Sequence, residues 1–299
     1  MKLRGLFALC CLGLAAGCKS APAPILEPDT PQLSADVKLL EDTIHSKITA
    51  LDMGLRVIVP AKTPTDARLP VVYLLHGAGV NYHDWTTYSN IASFAAKGIV
   101  LVLPNMPGSY YINQLDSTNN RYEDFFMDEL ISEVHRLVPY TATDRAHTAI
   151  VGVSRGGYGA AVLGTKHPDV FGYVGLLSPA ADFAERGFRL HAPWESLNLN
   201  RIFGPQRSKT RSENDPFLLI RTLKQQDSPY FFLACGDHDV LLGVTLLFED
   251  KLGQAGLRSQ FHLLRGSHNW GAWDQAVPLL EGSLTQFFCA PESMGVMKS

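Results

Sequence analysis

The chain has 299 residues, enough for one large domain with a deep core, and its 46% hydrophobic and 18% charged residues exclude a disordered polymer. A formal net charge of −3 gives no electrostatic footing for nucleic acid. The one short basic run, RSKTR over 207–211, reads as a solvated loop.

The opening stretch, MKLRGLFALCCLGLAAGCKS, places Lys2 and Arg4 ahead of an apolar run that closes on small residues at Gly17 and Cys18. That is the layout of an export signal, and it is too short to span a bilayer. Its end, LAAGC, resembles the bacterial lipobox, in which the cysteine becomes the lipidated first residue; Ala15 stands where leucine is commoner, and a plain signal cut near Ala21 or Ala23 is the alternative. The expected plan is a signal over 1–17, a Pro-rich tether over 18–36, a folded domain over 37–290 and a tail over 291–299. Lipid on Cys18 would then be the membrane attachment, with the domain facing the periplasm or the cell exterior. Only Cys235 and Cys289 remain for the domain. An oxidising compartment permits their pairing, while Cys235, ending an apolar run, reads equally as a small core residue.

From about Leu55 short apolar runs alternate with helical patterns. LRVIVP, LPVVYLLHG, KGIVLVLPN, HTAIVGVS, FGYVGLLSP, PYFFLACGD and QFHLLRGSH are nearly continuous in apolar residues, the mark of strands buried on both faces of a parallel sheet. Between them, RYEDFFMDELISEVHRLVP spaces Phe126, Leu130, Val134 and Leu137 by helical steps before Pro139. GYGAAVLGTKHP stops at Pro168, and VLLGVTLLFEDKLGQAG at Gly256. This alternation predicts an α/β layer structure around a mostly parallel sheet. Residues 180–216 break it with mixed polarity and weak periodicity, and predict an irregular, lid-like insertion.

The motif VGVSRGGYGAA over 151–161 sets a serine among glycines between a strand and a helix. Gly152-x-Ser154-x-Gly156 in that context is a nucleophile elbow: the serine tips a tight turn that bulkier neighbours would obstruct. A serine hydroxyl needs a base, and the base an orienting acid, in the chain order serine, acid, histidine. His268, in the loop after the last strand run, is the base expected; His262 lies inside that run and His191 in the insertion. ACGDHDVLL offers Asp237 and Asp239 at a strand end, and spacing does not choose between them; Asp237 could instead cap the next helix. The oxyanion donors expected are the backbone N–H groups of Arg155 and of Ala78, in the early loop His76-Gly77-Ala78-Gly79. His76 reads as structural. His76, His83, Asp237, His238, Asp239 and His268 lack the spacing of a metal site, so no metal is expected.

Six segments in order, PVVYLLHGAGVNYHDW, YYINQ, YEDFFMDELISEV, VGVSRGGYGAA, ACGDHDVLL and GSHNWGAW, resemble the esterase D-like family of α/β hydrolases over roughly 47–288. That family includes S-formylglutathione hydrolases, feruloyl and acetyl xylan esterases and mycolyltransferases. The resemblance implies an α/β-hydrolase fold, Ser154 as nucleophile, His268 as base, Asp239 rather than Asp237 as acid, and Ala78 and Arg155 as oxyanion donors. This sequence departs from the family pattern at Arg155, often methionine, which puts a charge near the pocket mouth, and at Asn105, often aspartate. The export signal argues against the cytoplasmic formylglutathione branch. Tyr82, Trp85, Tyr110 and Tyr111 are aromatic candidates for a substrate pocket, Trp194 for a lid, and Trp270 and Trp273 for packing beneath the histidine loop. The expected activity is hydrolysis of small carboxylic esters, carbohydrate, feruloyl or acetyl, through an acyl-enzyme and without a cofactor. An acyltransferase, or a non-catalytic envelope or carbohydrate-binding protein on the same scaffold, is the alternative.

Overall fold

The computed structural model describes residues 29–63, 68–187 and 193–290. The expected signal, Cys18, most of the tether, His191 and the 291–299 tail lie outside the described residues. Among the described residues no helix is long and apolar enough to cross a membrane.

Eight strands form one sheet: β1 (Val37–His45), β2 (Asp52–Pro60), β3 (Val71–Leu75), β4 (Val100–Pro104), β5 (Thr148–Val153), β6 (Tyr173–Leu177), β7 (Tyr230–Gly236) and β8 (Ser259–Leu264). Their order is β1-β2-β4-β3-β5-β6-β7-β8. From β4 to β8 every neighbour runs parallel, and β1 and β2 complete the sheet as an antiparallel flank. All residues of β3 to β7 are buried, as their unbroken apolar runs require of strands covered on both faces.

Each face has its own core. On one, Tyr73 packs against Phe126 and Phe171 at centroid distances of 5.3 and 6.1 Å, with Leu163 and Leu252 from two covering helices. On the other, Trp85, Phe94, Trp273 and Phe287 cover Val72, Leu101, Val151 and Phe232. Each such ring removed from water contributes roughly 2–3 kcal/mol before entropy is charged against it. The helix expected before Pro139 forms, but Phe125–Leu130 takes a wider π turn between Tyr122–Asp124 and Ile131–Leu137. That turn delivers the consecutive rings of Phe125 and Phe126 into the core together.

The insertion is more regular than its composition suggests. It carries helices at Pro193–Phe203 and Lys209–Glu213 and packs Leu199, Ile202 and Phe203 onto Tyr158 and Val162 of the Arg155–Lys166 helix. The reading of 207–211 as a solvated loop fails at Arg211, which is buried. Its guanidinium donates to the carbonyls of Ala184, Arg186 and Gly204 and to Asn200 Oδ1, so it ties the insertion together. Cys235 is buried and Cys289 exposed, and both are free thiols.

Strand β3 pairs with β4 on one side and β5 on the other, so the chain reverses its winding there. Loops leaving the carboxyl ends of β3 and β5 diverge at such a point and open a crevice.

Candidate active site

Ser154 follows β5 directly and precedes the Arg155–Lys166 helix. Its backbone sits at φ 54° and ψ −115°, a conformation L-residues rarely adopt, and it persists because the surroundings enforce it. The Ser154 N–H donates to Leu177 O at 2.9 Å, and its carbonyl accepts from the Tyr158 and Ala180 N–H groups. A Cβ on Gly152 would stand 2.1 Å from Gly156 O, and one on Gly156 would stand 2.3 Å from Leu75 O. Both neighbours are backbone, so these two positions admit only glycine.

The turn aims the serine at His268, in the loop between β8 and the Trp270–Cys289 helix. His268 Nε2 lies 2.8 Å from Ser154 Oγ, and Nδ1 lies 3.0 and 2.9 Å from the two Asp239 oxygens. The Asp239 side chain has no exposure, and its Oδ1 also accepts the Leu241 N–H at 2.8 Å. A carboxylate can only accept, so Nδ1 carries the proton and Nε2 keeps its lone pair toward the hydroxyl. Asp237, the other acid, points elsewhere: it accepts from Gly266 N–H at 2.8 Å and contacts His238 Nδ1 at 2.7 Å. The Gly266 N–H bond, more than His238, holds its carboxyl below the usual range. Asp237 thus pins the loop that carries His268 without touching the imidazole.

Beneath the loop, the Trp273 ring meets His268 edge-on at 5.0 Å while its Nε1–H donates to Ser178 Oγ at 2.9 Å. Trp270 meets the Trp273 ring edge-on at 5.4 Å and the Trp85 ring at 5.2 Å, so Trp273 packs on the histidine and Trp270 packs on Trp273.

The His76–Gly79 loop lies against the serine, and a Cβ on Gly77 would stand 3.6 Å from the Ser154 Cβ. Among the described residues no hydrogen bond occupies the Ala78 N–H. Arg155 is the first residue of its helix, where N–H groups have no intrahelical acceptor. His76 is fully buried; its Nε2 accepts the Met106 N–H at 3.1 Å and its Nδ1 faces Gly77 O at 3.0 Å. Burial, reinforced by the Arg155 charge, pushes its pKa down to about 4, so it is a neutral structural histidine. His262, within β8, meets the Phe232 ring at a tilt of 35° and 5.1 Å.

A cleft of about 430 Å³ opens beside Ser154 and His268. Phe183, Val240, Leu241 and Val244 form its apolar wall, and Asp182 and Arg186 its polar one. Arg186 forks onto Asp182, reaches Glu195 at 2.9 Å, and lies 4.4 Å over the Phe183 ring. The aromatic candidates fall elsewhere. Trp85 is fully buried, with Nε1–H donating to Leu75 O, and presents no face to a ligand. Tyr111 is fully buried too: its hydroxyl donates to His76 O at 2.8 Å, and its ring sits where a Cβ on Gly159 would come within 2.3 Å. Tyr82 lies 5.8 Å from the Arg56 guanidinium on the antiparallel flank, apart from the residues that line the cleft. Tyr110 supports the wall from behind, edge-on to Phe183 at 5.1 Å. Trp194 is 82% exposed on the Pro193–Phe203 helix, next to the Glu195 that grips Arg186, and does not line the cleft. The Arg155 charge is not at the mouth: the side chain is 8% exposed and turns back to Gly77 O. The cleft residues themselves follow β6 and β7 directly, and a reading of strand ends rather than of aromatic rings would have found them.

The sheet order, the strained serine at its elbow and the buried acid behind a loop histidine define an α/β hydrolase. The family model described as "Putative esterase" matches residues 46–279. An acetyl esterase of Caldicellulosiruptor saccharolyticus is 27% identical over 254 residues, covering 80% of this chain and 95% of that protein. A solved ferulic acid esterase superposes with a TM-score of 0.70 at 25% identity, covering 85% of this chain and 99% of the other. The fluorophosphonate-binding serine hydrolase FphF of Staphylococcus aureus gives 0.71 at 25% identity, covering 84% and 98%. The chain belongs to this esterase family and is a serine carboxylic ester hydrolase.

Proposed function

We propose that the protein cleaves esters by acyl transfer to Ser154 and then to water, on the strength of the unbroken contact from Asp239 through His268 to the Ser154 hydroxyl. Ser154 Oγ attacks the ester carbonyl carbon as His268 Nε2 takes its proton. Asp239 holds Nδ1–H and offsets the imidazolium charge, and the Ala78 and Arg155 N–H groups receive the oxyanion. Collapse expels the alkoxide, which takes the proton from Nε2. Water then attacks the acyl-enzyme through the same base, releasing the acid and restoring Ser154.

The cleft supports a small substrate with two characters. An acyl or aryl chain fits the wall of Phe183, Val240, Leu241 and Val244, and a hydroxylated alcohol fits the Asp182–Arg186 side. Likeness to an acetyl esterase and a ferulic acid esterase supports acetyl or feruloyl esters as the natural class. The test is hydrolysis of p-nitrophenyl esters of graded chain length, and of acetylated and feruloylated sugars, by wild type and Ser154→Ala. Activity confined to wild type, with an acyl mass on Ser154, is the expected result. Equal turnover by both proteins overturns the mechanism.

A further inference from the structure

Arg155 is a buried cation with an unusual set of partners. Among the described residues no carboxylate lies within ion-pair distance of it, its Nε is buried with no hydrogen-bond partner, and its guanidinium lies 5.7 Å from the Tyr110 ring centre. Among the described residues its one polar contact donates from Nη2 to Gly77 O at 3.0 Å. Taking a guanidinium out of water without a counter-charge costs several kcal/mol. An apolar side chain of similar length would fill the same space without that cost. Fold stability therefore does not account for the arginine.

The acceptor does. Gly77 C=O and Ala78 N–H are the two ends of one peptide unit. In a trans peptide they point in opposite directions, so fixing the oxygen fixes the line of the N–H. The oxygen is held twice: by Arg155 Nη2, and by His76 Nδ1 at 3.0 Å. Since His76 Nε2 accepts the Met106 N–H, the His76 proton is on Nδ1 and donates to Gly77 O. His76 is itself anchored, because its carbonyl accepts the Tyr111 hydroxyl. Two donors on a carbonyl, one of them charged, draw electron density from the peptide and make its N–H a stronger donor.

Building on the acyl-transfer reading above, we propose that the Arg155 side chain is a positioning residue that orients and polarises the Gly77–Ala78 peptide for the oxyanion. One residue then serves both halves of the hole, its own N–H directly and its guanidinium through the opposite peptide. The contribution is specific to the charged transition state, because a neutral ester carbonyl gains little from a stronger donor.

The experiment compares wild type with Arg155→Met, Arg155→Lys and Ser154→Ala, using a p-nitrophenyl ester and a trifluoromethyl ketone whose adduct on the serine carries the oxyanion. Losing an oxyanion donor outright costs 10²–10³ in rate, so weakening one predicts a fall in kcat of about tenfold for Arg155→Met, with KM unchanged. Affinity for the ketone falls in step with kcat. Thermal stability is unchanged or higher, since a buried unpaired charge has been removed. Arg155→Lys, which keeps a cation on a shorter reach, recovers part of the rate. Three results overturn the proposal: Arg155→Met within about twofold of wild type in kcat, a rise in KM with kcat intact, or ketone affinity unmoved while melting temperature and activity fall together. An active Ser154→Ala overturns the acyl-transfer reading instead, so the two failures are distinguishable.

Discussion

Replacing Asp239 by asparagine tests the proton path with almost no change of shape. Asp239 Oδ1 accepts the Leu241 N–H at 2.8 Å, and Oδ2 lies 2.9 Å from His268 Nδ1. An asparagine amide has one acceptor end and one donor end. Its oxygen must take the Oδ1 position, because an NH₂ there would face the Leu241 N–H donor to donor. The NH₂ group then falls at Oδ2, the nearer of the two positions to His268 Nδ1 at 2.9 against 3.0 Å, and donates to it, which favours the tautomer with the imidazole proton on Nε2. Nε2 is 2.8 Å from Ser154 Oγ and now offers a hydrogen where it must receive one. The fold keeps its hydrogen bonds, yet the base is lost. The expected fall in kcat is about 10⁴-fold, or about 5.5 kcal/mol of barrier, with little change in KM or melting temperature. Steady-state kinetics on p-nitrophenyl acetate beside a thermal melt measures all three. Asp237→Asn is the control, since its carboxylate contacts Gly266 N–H and His238 and not the His268 imidazole; only a few-fold loss is expected. If Asp239→Asn keeps activity within about tenfold, or Asp237→Asn is equally damaging, the assignment of tautomer and acid is wrong.

Gly156→Ala brings a Cβ to 2.3 Å from Leu75 O and 2.7 Å from His76 O, which are backbone atoms of β3 and its loop and cannot swing aside. A loss of about 4 kcal/mol and of all activity is expected; a soluble variant melting within about 2 °C of wild type contradicts the close-approach argument. Asp215, buried at the end of the insertion, caps the Pro216–Leu219 helix by accepting the Phe217 N–H. Burial, and next the nearby Glu185 carboxyl, push its pKa up to about 7. The folded chain therefore binds this proton more tightly than the unfolded one. The stabilisation is complete below about pH 4 and is lost as pH rises through about 7, at no more than about 1.4 kcal/mol per pH unit. Asp215→Asn, uncharged throughout, should lose this dependence, so its melting temperature should fall less than that of wild type between pH 5 and pH 8. Equal pH slopes in the two proteins would place the proton elsewhere.

The parts of the molecule legible in the sequence are those where a backbone must do something few residues permit. Gly152 and Gly156 announce the elbow because any Cβ there meets peptide atoms at little over 2 Å. Strands β3 to β7 announce themselves because burial on both faces leaves no polar position in the run. Where that constraint relaxes, the signal fades. Strand β1, VKLLEDTIH, leaves no such mark, because an edge strand is only partly covered and carries Lys38 and Asp42 on one face and Glu41 on the other, among the apolar residues that pack on both cores. The Trp270–Cys289 helix is not announced by its sequence, because Pro278, Gly271 and Gly282 look like breaks, yet its apolar side is held on the sheet through Ala276, Leu280 and Leu284.

Site chemistry divides the same way. Asp237 and Asp239 are two residues apart and equal in type, and only the turn closed by Asp239 N–H on Gly236 O separates their directions. The aromatic candidates misled because ring content says nothing about facing: Trp85 and Tyr111 hold the β3 loop from inside. The cleft wall is built instead from residues common in any surface loop, such as Val240 and Leu241. A reacting group is constrained by covalent geometry that its own neighbours in sequence must supply. A specificity wall is constrained only by where distant loops come to rest, so it can change freely without leaving a local trace. This chain's substrate preference should therefore move with 180–186 and 240–244 while its elbow stays fixed. Phe183 and Arg186, stacked on each other and tied by Glu195 to the Pro193–Phe203 helix, are where such a change reaches the cleft beside Ser154.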